Sequence, residues 1–267
     1  MILSSALLGN STLLALSSGV ALVAYAAAAW RPEAGAARLA LIAAWLAQGF
    51  ALLVDLGGLG HGQWGGRFGF APALSLTHWL VLAVVLAESQ GQLWAMARRV
   101  LALSGLLVVL LAWVFPGQAV NAHSPWAPLH WVLGLASYGL VGTAVLHAWL
   151  MRRAERQLRQ PGGAAGIPGW PLLRLERLSF QFLGAGVAVL SLALLLGWWF
   201  TPQWRWDHKT LFAVLAWGVL SGLLAGRLLL GWRGAQAVRW LYAGSALLLL
   251  SYVGSRFVLQ VLLGRAG

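Results

Sequence analysis

The sequence predicts an all-α, polytopic membrane protein with eight transmembrane helices, and three observations carry that reading. Of 267 residues, 60% are hydrophobic and only 9% are charged, against roughly 25% charged in a soluble domain. So little polar surface cannot keep a 28.5 kDa globule in water. Second, eight separate stretches reach the about 20 mainly apolar residues that a helical span requires. Third, the basic residues sort to one side when the chain is threaded through those spans.

The first span, 7–29, has no basic residue before it, unlike the positively charged lead of a cleaved signal peptide, and reads as a retained helix. The second, 37–57, carries Gln48, the deepest strongly polar residue of the chain, and a longer connection, 58–70, follows with His61. The third, 71–90, holds His78 about two turns in. The fourth, 99–115, leads into the segment Pro116–Pro128, where His123 lies. His130 opens the fifth, 129–150; Arg152, Arg153, Glu155, Arg156 and Arg159 continue that helix past the lipid until Pro161-Gly162-Gly163 ends it. Trp170-Pro171-Leu172-Leu173 then leads through Arg174, Glu176 and Arg177 into the sixth, 178–200. His208 opens the seventh, 209–228, and the eighth is 240–262. No soluble domain fits between them and no fixed-period repeat occurs, so 1–267 reads as a single integral membrane domain.

Charge sets the orientation. The chain has 18 Lys+Arg against 6 Asp+Glu, a net +12, and a pI near 11.7. Threaded through eight spans, Arg67, Arg205, Lys209, Arg256 and Arg265 fall on or toward one side and every other arginine falls on the opposite side. The positive-inside rule places the larger group in the cytoplasm and both termini on the outer, periplasmic side of a bacterial inner membrane. The basic excess thus records topology, and no nucleic-acid partner is implied; the bilayer is the partner. The basic connection 151–177 reads as a topology anchor, with docking of a partner or of anionic lipid as its alternative role.

With this topology five of the six histidines, His61, His78, His123, His130 and His208, lie at or near the outer side. His147 is 17 residues beyond His130 on the same helix, about 25 Å away, so those two cannot share a ligand. Tryptophan is biased the same way, most densely in Trp198-Trp199 and Trp204-Arg205-Trp206. Interfacial belts account for part of this. Flat aromatic rings crowded beside imidazoles also suit a flat, apolar, iron-bearing ligand, haem, whose iron takes axial histidine. Asp207 fits either of two roles, a cap on the seventh span or a carboxylate that orients an imidazole.

Other chemistry is poorly represented. Cysteine is absent, which excludes disulfides, zinc–thiolate sites, iron–sulfur clusters and thiol nucleophiles. There is no Gly-x-Ser-x-Gly elbow, no phosphate-binding glycine loop and no close carboxylate pair, so no catalytic residue is assigned and the chain leans away from enzyme chemistry. The alternative is a membrane transporter, or a regulator of metal-ion transport, with the outer histidines as a transient metal site. A structural subunit that packs its Trp-rich face on another membrane protein is the third reading.

Several segments resemble a known family. Leu129-His130-Trp131-Val132-Leu133-Gly134-Leu135-Ala136-Ser137-Tyr138 is similar to a segment of cytochrome c assembly proteins of the CcsA/ResC type, with histidine at a helix mouth and Ser-Tyr following. Trp204-Arg205-Trp206-Asp207-His208-Lys209 resembles the family's outer Trp-x-Trp-Asp-Pro-Lys-Glu loop, with His208 in place of its proline and Thr210 in place of its glutamate. Leu175-Glu176-Arg177, Gly231-Trp232-Arg233-Gly234 and Ser251-Tyr252-Val253-Gly254-Ser255-Arg256-Phe257 look like a subgroup of short, eight-span members, the YpjD-like inner membrane proteins. The resemblance covers 129–262.

This resemblance implies haem handling for cytochrome c biogenesis: b-type, non-covalent haem held at the outer face under the Trp-rich loop, with other cytochrome c maturation proteins as partners. His130 matches the first outer histidine of the family, and Trp204, Trp206, Asp207 and Lys209 match its loop. The family's second outer histidine has no counterpart, since no histidine follows His208. The second axial position beside His130 is therefore open to His208, His123 or His78.

Overall fold

The computed structural model describes residues 2–31, 33–56, 65–89, 95–121, 124–159, 172–200, 206–258 and 261, with the backbone alone for 2–11, 65–68 and 119–121. Among the described residues, eight helices are long and apolar enough to cross a membrane. They are α1 Ile2–Trp30, α2 Ala34–Leu56, α3 Phe70–Glu88, α4 Ala95–Val114, α5 Ala127–Leu158, α6 Leu172–Phe200, α7 His208–Leu230 and α8 Gly234–Leu249. The last continues through a π-helical turn, Leu250–Gly254, into Ser255–Phe257. The chain is a multi-pass membrane protein. The sixth helix begins at Leu172 rather than at 178, so Arg174, Glu176 and Arg177 are helical. With 32 residues, α5 is about 48 Å long, well beyond a hydrocarbon core of ~30 Å. Its extension carries an Arg152–Glu155 pair at 3.1 Å.

Two connections expected as plain loops pair with each other. Strand β1, Gly65–Phe68, and strand β2, Gln118–Asn121, run antiparallel with Gly65 opposite Asn121 and Phe68 opposite Gln118. Four residues are too few to show strand periodicity in sequence.

The described helices fall into two compact units. The first, Met1–His123 with Arg256–Gly267, is a ring in which α1 packs on α2, α2 on α3, α3 on α4 and α4 on α1. Small buried residues let the backbones approach, among them Ala21, Ala28, Ala37, Ala44 and Ala102, as expected where lipid removes the hydrophobic drive between helices. Trp45 and Trp79 stack at 5.0 Å. Each indole N–H donates to the other residue's carbonyl, at 3.2 and 2.9 Å, which satisfies both polar atoms within lipid.

The second unit, Ser124–Ser255, repeats this ring order with α5, α6, α7 and α8. Helices α5 and α7 therefore stand diagonally, each between α6 and α8. The α5–α6 seam is close: a Cβ on Gly186 would lie 2.9 Å from Val141 Cγ2, and Ser179 Oγ donates to the Ala144 carbonyl at 2.9 Å. At the far end of α7 the guanidinium of Arg227 pairs with Glu176 and lies 4.4 Å from the Phe180 ring centre. Both glycines of Gly231-Trp232-Arg233-Gly234 have positive φ, 66° and 62°, which only glycine adopts without strain. They turn the chain so that Trp232 N–H donates to the Gly226 carbonyl at 3.1 Å.

Candidate functional site

Helix α5 begins at Ala127 with Pro128 in its first turn, a position that needs no N–H donor. His130 follows, half-buried, and its ring crosses to α6. Nδ1 lies 2.9 Å from the Ala193 carbonyl oxygen. A carbonyl only accepts, so Nδ1 carries the proton and Nε2 keeps the lone pair. Nε2 has no hydrogen-bond partner among the described residues. Gly197 gives the ring its place: a Cβ there would stand 2.9 Å from His130 Cε1 and 3.2 Å from Nδ1. Phe200 closes against the imidazole edge-on at 5.7 Å. Ala193, Gly197 and Phe200 recur at helical spacing, so one face of α6 seats the ring.

Helix α7 begins at the same end of this unit. Asp207 caps it with extended backbone (φ −77°, ψ 168°), its carboxylate accepting from Thr210 N–H at 2.8 Å. Partial burial acts to raise its carboxyl. The backbone N–H and hydroxyl of Thr210 and the charges of Lys209 and His208 outweigh that and hold it below the ordinary carboxylate range. His208 is exposed in the first turn. The Lys209 ammonium lies 5.4 Å from the Tyr252 ring centre, and its charge reaches the His130 ring.

Tyr252 belongs to the π turn of α8, and α5 holds that turn in place. The Tyr138 hydroxyl donates to the Leu248 carbonyl and meets Ser251 Oγ at 2.7 Å. Ser251 Oγ donates to the same carbonyl at 2.8 Å. Tyr138 lies about two turns beyond His130 on α5, so one helix carries both the free imidazole nitrogen and the anchor of the Lys209–Tyr252 pair. Around them Trp198, Trp199 and Trp206 are exposed, and Trp126 meets Trp199 at 5.5 Å.

His78 has a different setting, in the first unit. It is buried, and its Nε2–H donates to the Leu101 carbonyl at 3.0 Å. Its Nδ1 is enclosed without a partner. Tyr25 stands edge-on at 5.6 Å and donates its hydroxyl to Gln48 Oε1, while Gln48 Nε2 donates to the carbonyl and hydroxyl of Ser75 at 2.9 Å each. His78 thus belongs to a polar network across the helices of that unit. His147 is buried too, with Nδ1 donating to the Thr143 carbonyl at 2.8 Å. Trp204, His123 and His61 lie outside the described residues. Among the described residues no three His, Asp or Glu side chains gather as a metal cluster would require.

The family described as Cytochrome C assembly protein matches residues 4–263. The chain belongs to the cytochrome c assembly protein family. It is 33% identical over 217 residues to an uncharacterised 28.8 kDa protein of the nifR3-like 5′ region of Azospirillum brasilense, covering 76% of this chain and 79% of the relative. Inner membrane protein YpjD of Escherichia coli K12 is 29% identical over 71% of this chain and 73% of its own length. Cytochrome c biogenesis protein CcsA of Synechococcus sp. RCC307 is 24% identical over 68% of this chain and 52% of its own length. No solved structure matches the chain.

In this member of the assembly family, the sequence named His130, Asp207 and Lys209 as candidates, and the structure adds Ala193 and Gly197 beside His130 and the Tyr138–Ser251 anchor beside Tyr252. A carbonyl that receives an imidazole carries no sequence signature. The usable signal was Gly197, a small residue inside an apolar helix, where small residues mark close approach.

Proposed function

We propose that this family member handles haem in cytochrome c maturation, with His130 Nε2 as an axial ligand to iron at the end of the second unit where α5 and α7 begin. The observation that carries the reading is the Nδ1–H bond from His130 to Ala193, which fixes the ring and leaves Nε2 as the lone-pair nitrogen. A fixed tautomer with a backbone acceptor behind it is how proteins present imidazole to a metal. The surroundings fit a flat, apolar, anionic group: Phe200, Trp126, Trp199 and Trp206 offer ring surface, and Lys209 offers a cation to propionate carboxylates. When bound, haem would supply an iron centre that imidazole can hold. His208, exposed in the first turn of α7, is a second candidate to hold it. The haem is b-type here, because the chain has no thiol to attach it; the sulfurs of a covalent link belong to the client cytochrome.

The matching family and relatives named cytochrome c biogenesis protein support this role. A relative named inner membrane protein supports a bacterial inner membrane location, with the His130 end facing the periplasm. The test is the absorbance spectrum and pyridine haemochrome of protein purified from haem-replete cells. A b-type spectrum that weakens in His130→Ala is expected; protein free of haem refutes the reading.

A further inference from the structure

At the end of the first unit where α1 finishes and α2 and α4 begin, two arginines lack a counter-charge. Arg98, in the first turns of α4, is 4% exposed. One of its terminal nitrogens donates to the Arg31 carbonyl at 3.0 Å, in the turn that joins α1 to α2. Its Nε is buried with no partner, and so is the Nε of Arg38 in α2. Among the described residues, which include all six acidic residues of the chain, neither Arg38 nor Arg98 forms an ion pair. Glu33, in the same turn, faces solvent.

A guanidinium cannot shed its proton to escape burial. Among the described residues Arg98 has one carbonyl and no carboxylate to offset its buried charge, an unfavourable state that an anion at this end of the unit would relieve. The planar fork of arginine matches phosphate oxygens, and the N-termini of α2 and α4 add amide dipoles of the same sign. The site also borders lipid: Trp30 and Leu39, each 69% exposed, flank the turn beside these arginines. A free phosphate has no use for such apolar neighbours, whereas acyl chains do. We propose that the headgroup phosphate of an anionic phospholipid is bound at this end of the first unit by Arg98 and Arg38. The site is independent of the haem reading, which concerns the second unit.

The test uses the full-length protein in mild detergent, with phosphatidylglycerol, phosphatidylcholine or inorganic phosphate added. Native mass spectrometry and thermal melts are the readouts. Phosphatidylglycerol is expected to stay bound and to raise the melting temperature, while phosphatidylcholine and inorganic phosphate do neither. Removing one arginine should weaken phosphatidylglycerol binding roughly fivefold, the equivalent of about 1 kcal/mol per basic residue at an anionic lipid surface. Arg38→Gln provides this comparison if Arg98→Gln does not fold. Arg99→Gln, which alters an exposed neighbour, should weaken binding distinctly less than Arg38→Gln does. Equal stabilisation by phosphatidylcholine or inorganic phosphate overturns the proposal. So does phosphatidylglycerol binding that Arg38→Gln leaves intact, or that Arg99→Gln weakens as much.

Discussion

The imidazole of His130 donates from Nδ1 to the carbonyl of Ala193, 2.9 Å away on the adjacent helix. The ring can lie there only because Gly197, one turn further along α6, has no side chain. Gly197→Ala puts a methyl group 2.9 Å from Cε1 and displaces the ring. Alanine is the better helix former by about 1 kcal/mol, so the helix itself should not suffer. The variant should therefore fold, with a melting temperature close to that of the parent, yet carry much less haem by the pyridine haemochrome assay. Normal haem content in folded Gly197→Ala would separate His130 from the binding site.

Tyr138 and Ser251 act as one unit, since both hydroxyls meet at the Leu248 carbonyl. Tyr138→Phe should cost about 1 kcal/mol, the usual net worth of a hydrogen bond. Ser251→Ala should cost a similar amount. The double variant should lose less than the two together, because each partner is already broken by the other's removal. Detergent melts of the four proteins check this, and strict additivity would mean that the two hydroxyls act separately.

Asp207 gives the second unit a pH dependence of known sign. Its carboxyl titrates below the ordinary range because the ionised form accepts from Thr210 and lies beside Lys209 and His208. A lowered folded pKa contributes stability above the unfolded value near 3.9, and that stability is lost as pH falls through the folded value. Asp207→Ala should therefore be less stable by about 1 kcal/mol at neutral pH, the typical worth of an N-cap. The gap should be present at neutral pH and close in strong acid. Thermal melts of the pair across pH read it directly.

Much of the fold was legible because hydropathy alone marks helices that must satisfy their backbones within lipid. All eight spans follow from it, and the start of α6 is extended only because a helix can run past the lipid with charged residues such as Arg174 and Glu176. The β1–β2 ribbon was not legible, since strands of four residues have no period to detect. At the candidate site, His130 and Lys209 were named from the segments that carry them. Their supports were hidden for different reasons. The Ala193 carbonyl is a backbone atom, and the π turn that presents Tyr252 depends on how α8 meets Tyr138. His78 was grouped with the other histidines by depth. Its neighbours, the Tyr25 ring and the Leu101 carbonyl, come from α1 and α4, which no single-helix pattern shows.

The orientation can be read chemically, because the chain contains no cysteine to confuse labelling. A single cysteine placed at exposed Trp206 or near the C-terminus should react with a membrane-impermeant maleimide from the periplasmic side of intact cells. One placed at exposed Arg159 should react only after the membrane is opened. The reverse pattern would invert the topology that the arginines imply and move His130 to the cytoplasmic face.

The most direct measurement is the visible spectrum of the purified protein, taken for the parent and for His130→Ala from equally haem-replete cells. The account predicts a b-type spectrum with a positive pyridine haemochrome in the parent, and its loss or marked weakening in a variant that still folds. A haem-free parent, or a variant whose spectrum and haem content are unchanged, would contradict it.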